Sequence, residues 1–205
     1  MNELAARISR RRAALSVIVG LAVAGALIGA LWSWIAPPIH GVVALTRSGD
    51  RIRAYLGNEA DHFFIAAFLF VGLLMVLAVV AAVLVWQWRA HRGPVMVAAL
   101  ALGSAAAAAA AAGVGAVMVH LRYGTIDIAG APISPQHRVH YVTEAPPVFF
   151  GHSPLQIAAT ILFPAAVAAL VYALIAVSTS RDDLGGWPPM EPVIAPPTEP
   201  VRAPQ

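Results

Sequence analysis

Four long apolar segments, separated by short polar connections, divide this chain. They run from Ala13 to Ala36, from His62 to Trp88, from Pro94 to Val119 and from Leu155 to Thr179. Each is longer than the roughly 20 residues that a helix needs to cross the hydrocarbon of a bilayer. None holds an acidic or basic side chain between its end residues. Because a backbone in lipid must satisfy its own hydrogen bonds, each segment predicts a membrane-spanning helix.

The connections after the first and third segments carry strand patterns. They are residues 37–61 and 120–154. In the first, apolar and β-branched residues lie on both sides of Ser48 and Gly49, which predicts a hairpin. In the second, Ile126 and Ile128 alternate with polar residues, and alternation returns in "RVHYV" after the turn-rich "GAPISPQ". Two separate hairpins would be marginal in water, so we expect one sheet of three or more strands.

The predicted fold class is therefore all-α transmembrane: a four-helix membrane bundle with a small extracytoplasmic β-rich cap. The apolar first segment is too long for a cleavable signal peptide, and we interpret it as a retained anchor. The last residues, 180–205, are rich in proline and predict a disordered cytoplasmic tail.

Arginine predicts the orientation, because basic residues are retained on the cytoplasmic side of a membrane. On the opposite side, the basic residues of the two long connections are balanced by acidic ones. We therefore expect a multi-pass protein of a bacterial plasma membrane with both termini in the cytoplasm. The arginines that mark the cytoplasmic side are Arg10, Arg11 and Arg12 in the basic N-terminus 1–12, and Arg89 and Arg92 in the turn 89–93.

Small residues recur every four positions in two of the segments. Gly25 and Gly29 lie on one face of the first predicted helix, and Gly103 and Gly115 lie on one face of the third. Lipid removes the hydrophobic attraction between helices, so close backbone approach at small residues drives their association. These glycines predict a tight helix contact, either within one chain or between the subunits of a homo-oligomer.

Three histidines, His137, His140 and His152, lie in the second long connection and are the candidates for a metal or pH-sensing site. His137 and His140, three apart on one predicted strand, point to opposite faces, which favours ordinary hydrogen bonding over a shared metal. Asp61 comes directly before the second segment, where it serves either as a helix cap or as a functional acid.

Composition removes several classes of function. The chain is 60% hydrophobic and 11% charged, which excludes an ordinary soluble domain. It has no cysteine, so thiolate metal sites and cysteine nucleophiles are excluded. The net charge of +3 is spread over short connections and forms no stripe for nucleic acid. The apolar segments lack the buried ionisable residue expected of a proton- or ion-coupled carrier.

Two motifs resemble a family of uncharacterised, mycobacterial-type actinobacterial membrane proteins, a domain of unknown function. These are "NEADHFFIAAFLFVGLL", with Asp61 and Phe64, and "WRAHRGP", with Arg92, Gly93 and Pro94. The resemblance covers roughly residues 31–121. It implies a cell-envelope setting but no reaction, catalytic residue or cofactor, and the long second connection departs from the family pattern.

The expected function is that of a non-enzymatic accessory or assembly subunit of bacterial cell-envelope machinery. It would have the lipid bilayer and a membrane-protein partner, or a second copy, as its contacts. The alternative is an extracytoplasmic metal-binding or pH-responsive sensor that uses the three histidines. A third hypothesis is a membrane-bound enzyme in which Asp61 acts with neighbouring histidines.

Overall fold

A computed structural model of the protein describes residues 8–181 and 184–185. Four long helices and three strands make up this part of the chain, and short 3-10 turns precede α2 and α3. In chain order the elements are α1 Arg10–Ile35, β1 Ile39–Leu45, β2 Arg51–Tyr55, α2 His62–Gln87, α3 Pro94–Tyr123, β3 Val139–Glu144 and α4 Pro154–Val177.

The helix ends follow local capping chemistry. α1 begins before the predicted Ala13 because the Ser9 hydroxyl accepts a hydrogen bond from the Arg12 backbone N–H. α3 continues past the predicted Val119 to Tyr123 and stops at Gly124, which has a φ of 69°. Ser153 and Gln156 form a reciprocal capping box at the start of α4.

The helices alternate in direction, and α1 packs mainly on α3, so the tightest pair is parallel. Gly25 lies against Ala107 and Gly29 lies against Ala111. Further along the same interface, Gly115 faces the Trp32 ring. The fourth candidate glycine, Gly103, faces Leu21 and Ile18. All four glycines therefore lie in one interface within this chain, and α4 packs on both α3 and α2.

Two clusters of buried residues fill the bundle, one toward each end. Near the sheet, Trp32 is fully buried, contacts the Phe70 ring edge-on at 5.5 Å, and donates its indole N–H to the Ala66 carbonyl at 2.8 Å. Near the turn that joins α2 and α3, Trp86 and Tyr172 pack edge-on at 5.1 Å. We call these two ends of the bundle the sheet end and the turn end.

The sheet has the strand order β2-β1-β3, and both pairings are antiparallel. The predicted hairpin is confirmed: β1 pairs with β2 around Gly49, whose φ of 91° suits a tight turn. The expectation that both connections join one sheet is also confirmed, since β3 comes from the second connection.

The prediction of a strand at Ile126 and Ile128 was wrong, because this stretch forms no strand. The Asp127 carboxylate accepts a hydrogen bond from the Gly130 N–H, which curls the chain. The Arg51 side chain then donates to the carbonyls of Ile128, Ala129 and Ala131. These carbonyls therefore bind a guanidinium in place of a neighbouring strand.

All four helices are long and apolar enough to cross a membrane, with mean hydropathies between 2.0 and 3.2. Many of their large apolar side chains are exposed, including Leu27, Phe68, Leu84 and Leu170. An apolar surface of this kind is consistent with a multi-pass membrane protein.

Two predicted segments fall largely outside the described residues, namely most of the basic N-terminus 1–12 and most of the tail 180–205. Within the tail, Leu184 and Gly185 form a turn, and Leu184 packs against the buried cluster at the turn end. This part of the predicted disordered tail is therefore attached to the bundle.

Candidate functional site

The three candidate histidines lie in three different settings. His137 belongs to a turn in which its N–H donates to the Ser134 hydroxyl at 3.1 Å. His140 lies on β3, opposite Val43 of β1. His152 comes just before α4. The expectation that His137 shares a strand with His140 was wrong, because the strand begins at Val139. Within residues 8–181 and 184–185, no three His, Asp or Glu side chains are grouped so as to hold a metal ion.

Asp61 occupies the N-cap position of α2, but its side chain makes no capping hydrogen bond. The preceding residues form a 3-10 turn, Glu59–Asp61, which gives Asp61 helical backbone angles. An N-cap side chain accepts hydrogen bonds from the first helical turn when its own backbone is extended. Asp61 therefore occupies the predicted place without the predicted contact.

The acid that contacts histidines at the sheet end is Glu59, two residues before Asp61. Its Oε2 accepts a hydrogen bond from the His40 backbone N–H at 2.9 Å. The same oxygen lies 3.1 Å from Nδ1 of His40 and 3.0 Å from Nδ1 of His62. One carboxylate oxygen thus joins the start of β1 to the start of α2, and we call Glu59, His40 and His62 the Glu59 cluster.

The proton positions in the Glu59 cluster follow from a neighbouring carbonyl. Nδ1 of His62 lies 2.8 Å from the Pro38 carbonyl oxygen, which can only accept a hydrogen bond. Nδ1 of His62 must therefore carry the proton, and the lone pair of the neutral ring is on Nε2. The tautomer is fixed by backbone geometry.

The hydrogen bond from the His40 backbone N–H is the main cause that lowers the pKa of Glu59 below its usual value. The His40 side chain and the charge of a protonated His62 act in the same direction, against partial burial. The sequence alone indicates one contact of this cluster, because Glu59 and His62 are three residues apart at the start of a helix. The contact with His40 depends on the fold of β1.

The two faces of the sheet differ in exposure. Residues paired across antiparallel strands share a face, so Ile39 and Val43, both fully buried, mark the covered face. On the other face, Ile52, Val139 and Tyr141 are 48%, 49% and 72% exposed. We call this second face the open face; its members are His40, Val42, Ala44, Ile52, Ala54, Val139, Tyr141 and Thr143.

An ion pair crosses the covered face between the two outer strands. Arg53 of β2 donates to Oε1 of Glu144 of β3 at 3.0 Å. Gly41 of β1 lies between these strands, and a side chain there would meet the Ala54 carbonyl oxygen, the Tyr55 ring and Val142. Burial raises the pKa of Tyr55, and the Glu144 charge acts in the same direction.

A cavity of about 690 Å³ lies between this ion pair and the first turn of α2. Five of its twelve lining residues are aromatic, and Phe150 also packs edge-on against Phe68 of α2 at 4.8 Å. A second cavity, of about 350 Å³, lies on the α3 side of the segment before α4 and shares His152 with the first. The lining of the first cavity includes Tyr55, Phe63, Phe64, Phe149, Phe150, Arg53, Glu144 and His152.

A second polar cluster lies at the turn end, around Arg92. Its guanidinium is 4.2 Å from the centre of the Trp86 ring and donates Nε–H to the Trp86 carbonyl at 2.9 Å. Nη1 donates to the carbonyls of Leu184 at 2.6 Å and Gly185 at 3.3 Å. Burial lowers the pKa of Arg92, and the charge of Arg89 adds to this. Arg89 is exposed.

Comparison with known proteins gives relatives but no described activity. Residues 21–186 match the family described as "Protein of unknown function (DUF2567)". The chain is 57% identical over 189 residues to the uncharacterized protein Rv1591 of Mycobacterium tuberculosis, covering 92% of this chain and 98% of that one. It is 58% identical to the uncharacterized protein ML1222 of Mycobacterium leprae, covering 86% and 89%. No solved structure matches.

Proposed function

The chain belongs to DUF2567, a family of proteins of unknown function, and we propose that it is a multi-pass accessory or assembly subunit of bacterial cell-envelope machinery. In this proposal it has no enzymatic activity of its own. Its four helices lie in the plasma membrane, and its sheet holds another envelope protein on the extracytoplasmic side.

The open face of the sheet is the observation that carries this proposal. Ile52, Val139 and Tyr141 present apolar surface away from the covered face, where no element of residues 8–181 and 184–185 buries them. A folded protein gains free energy by covering such a patch, and exposed apolar patches are typical of interaction surfaces. Tyrosine is enriched at such contacts because its ring is apolar and its hydroxyl is polar.

The arginines support the orientation. Arg10, Arg11 and Arg12 begin α1, and Arg89 and Arg92 lie in the turn before α3, so all five are at the turn end. The Ile8 carbonyl accepts a hydrogen bond from Nε2 of His91 at 3.1 Å, which joins the start of the described chain to that turn. Basic residues at one end of a bundle favour a cytoplasmic location for that end.

The partner is tested by purifying the full chain in mild detergent with a tag at one end. We expect a stoichiometric second polypeptide to co-purify, and Ile52→Ser combined with Tyr141→Ser to lose it. Arg47→Ala is the matched control, because Arg47 is exposed in the β1–β2 turn outside the open face. A chain that purifies alone, or a partner retained equally by all variants, contradicts the proposal.

The membrane orientation has its own test. Cysteine can be introduced near each end and in the β1–β2 turn, because the natural chain has no cysteine to interfere. A membrane-impermeant thiol reagent applied to intact cells should label Ser48→Cys and neither terminal variant. Labelling of either terminus, or recovery of the chain without detergent, would overturn the proposed location.

A second candidate function, an acid-responsive sensor, is favoured by the Glu59 cluster. Glu59 lies beside Nδ1 of both histidines, which leaves Nε2 of His62 as the basic nitrogen of a neutral ring. Protonation of Glu59 in acid would remove the charge that its contacts with both histidines share. We expect such a sensor to purify alone and to change its thermal stability with acid. An unchanged melting temperature would remove this candidate.

A further inference from the structure

We infer that the cavity between the sheet and α2 binds one membrane phospholipid with a primary-amine headgroup, of the phosphatidylethanolamine class. The inference rests on the proposed membrane location. The cavity volume of about 690 Å³ lies within the ~300–1,000 Å³ range of small-molecule sites.

The position of the cavity selects a lipid as the occupant. Phe63 and Phe64 belong to the first turn of α2, where a spanning helix enters the bilayer. The lining is continuous with the bundle surface through Phe150, which packs edge-on against the exposed Phe68. An acyl chain that lies along the apolar surface of α2 can therefore enter the cavity from the bilayer without crossing water.

The charged residues select the headgroup. Arg53 and Glu144 stand side by side, so the lining offers one cation and one anion instead of a net charge. A zwitterionic headgroup matches this arrangement, with its phosphate toward the remaining N–H groups of Arg53 and its nitrogen toward Glu144. His152 adds a polar group at the same lining.

One carboxylate oxygen favours an amine with N–H groups over a quaternary amine. Oε1 of Glu144 accepts a hydrogen bond from Arg53, and an ionised carboxylate oxygen has a second lone pair that can accept another. A primary ammonium can donate a charge-assisted hydrogen bond to this oxygen. A choline headgroup carries the same charge but has no N–H to donate.

Native mass spectrometry of the full chain in mild detergent tests this inference. Phosphatidylethanolamine, phosphatidylcholine and phosphatidylglycerol with identical acyl chains are added at equal concentration. We expect one phosphatidylethanolamine per chain, retained about tenfold better than the other two, the ratio expected for one hydrogen bond to a charged group. Equal retention of the three lipids indicates annular lipid only and overturns the inference.

Variants separate the headgroup contact from the acyl contact. Glu144→Gln should bring the preference for phosphatidylethanolamine over phosphatidylcholine close to one, while total lipid retention persists. Phe64→Ala should lower the retention of all three lipids. Leu84→Ala, an exposed position on α2 near the turn end, is the matched control and should change neither. If Glu144→Gln keeps the full preference, the assigned headgroup contact is wrong.

Two further outcomes identify other occupants. Water-soluble glycerophosphoethanolamine that displaces the lipid at equal concentration would show that acyl chains contribute nothing, which contradicts a lipid site. A polypeptide or second copy crosslinked through a photoreactive residue at Phe64, in place of lipid, would also overturn the inference. A chain that is recovered without detergent would refute the proposed membrane location, whereas a membrane-embedded chain without bound lipid refutes only the lipid site.

Discussion

Gly25 of α1 lies so close to Ala107 of α3 that a methyl group added to Gly25 would overlap the Ala107 carbonyl oxygen. Four residues later, Gly29 has the same relationship to Ala111. The repeat brings two parallel backbones together over successive helical turns, which is how helices associate where lipid removes the hydrophobic attraction between them.

Gly25→Ala should therefore destabilise the bundle by about 1–3 kcal/mol, the typical cost of overpacking a close contact. Thermal unfolding in mild detergent measures this. Gly20→Ala is the matched control, because Gly20 lies in the same helix and an added Cβ there meets nothing within 4 Å. Equal melting temperatures for the two variants would contradict the assigned interface.

Hydropathy was sufficient to predict the four helices, because the length of an apolar run is a local property of the sequence. The partners of those helices were not predictable in this way. The glycine spacing in α1 and α3 indicated a close contact, but it left open whether the contact lay within one chain or between two. The answer depends on the connections, which bring α1 beside α3 instead of beside its sequence neighbour α2.

The polar residues at the sheet end were harder to predict than the helices. Asp61 has the sequence position of a helix cap, but the 3-10 turn before α2 places Glu59, not Asp61, beside the histidines. Ile126 and Ile128 alternate with polar residues as in a strand, but they form none. Arg51, from a distant part of the chain, binds the nearby backbone carbonyls instead. Both outcomes depend on contacts between residues far apart in sequence.

The Glu59 cluster predicts a pH dependence. The pKa of Glu59 is lower in the folded protein than in the unfolded chain, so Glu59 contributes stability when it is ionised in both states. That stability is fully present above the ordinary glutamate pKa and is lost as the pH falls through the lowered folded value. The melting temperature of the natural chain should therefore fall as the pH is lowered through this acid range.

Glu59→Gln should flatten this acid limb of the curve of melting temperature against pH. Asp61→Asn removes a neighbouring carboxylate that makes no capping hydrogen bond, and it should leave the limb unchanged. The reverse result, with Asp61→Asn flattening the curve, would show that the wrong carboxylate has been assigned to the cluster.

The burial of Trp32 predicts that it contributes more to the stability of the fold than the nearby Trp34 does. Trp32 is buried and donates to the Ala66 carbonyl, whereas Trp34 is largely exposed. Trp32→Phe removes the donor and reduces the ring volume, so we expect a loss of about 1–3 kcal/mol in the free energy of unfolding. Trp34→Phe should change it little. Thermal unfolding in the same detergent compares them, and equal effects would exclude a role for the buried hydrogen bond.

Arg92→Lys keeps the positive charge, and with it the expected membrane orientation, but it removes the planar guanidinium. Lysine cannot reproduce the set of hydrogen bonds to the carbonyls of Trp86, Leu184 and Gly185, and its point charge stacks less well on the Trp86 ring. The turn formed by Leu184 and Gly185 should therefore detach more readily from the bundle. Hydrogen exchange followed by mass spectrometry should show faster exchange in peptides that contain these two residues.

The exposed Arg89 provides the control, since Arg89→Lys makes the same chemical change in the same turn and should leave the exchange rate as it is in the natural chain. Equal acceleration by both variants would indicate that the turn depends on the general charge of the turn end and not on the contacts made by Arg92.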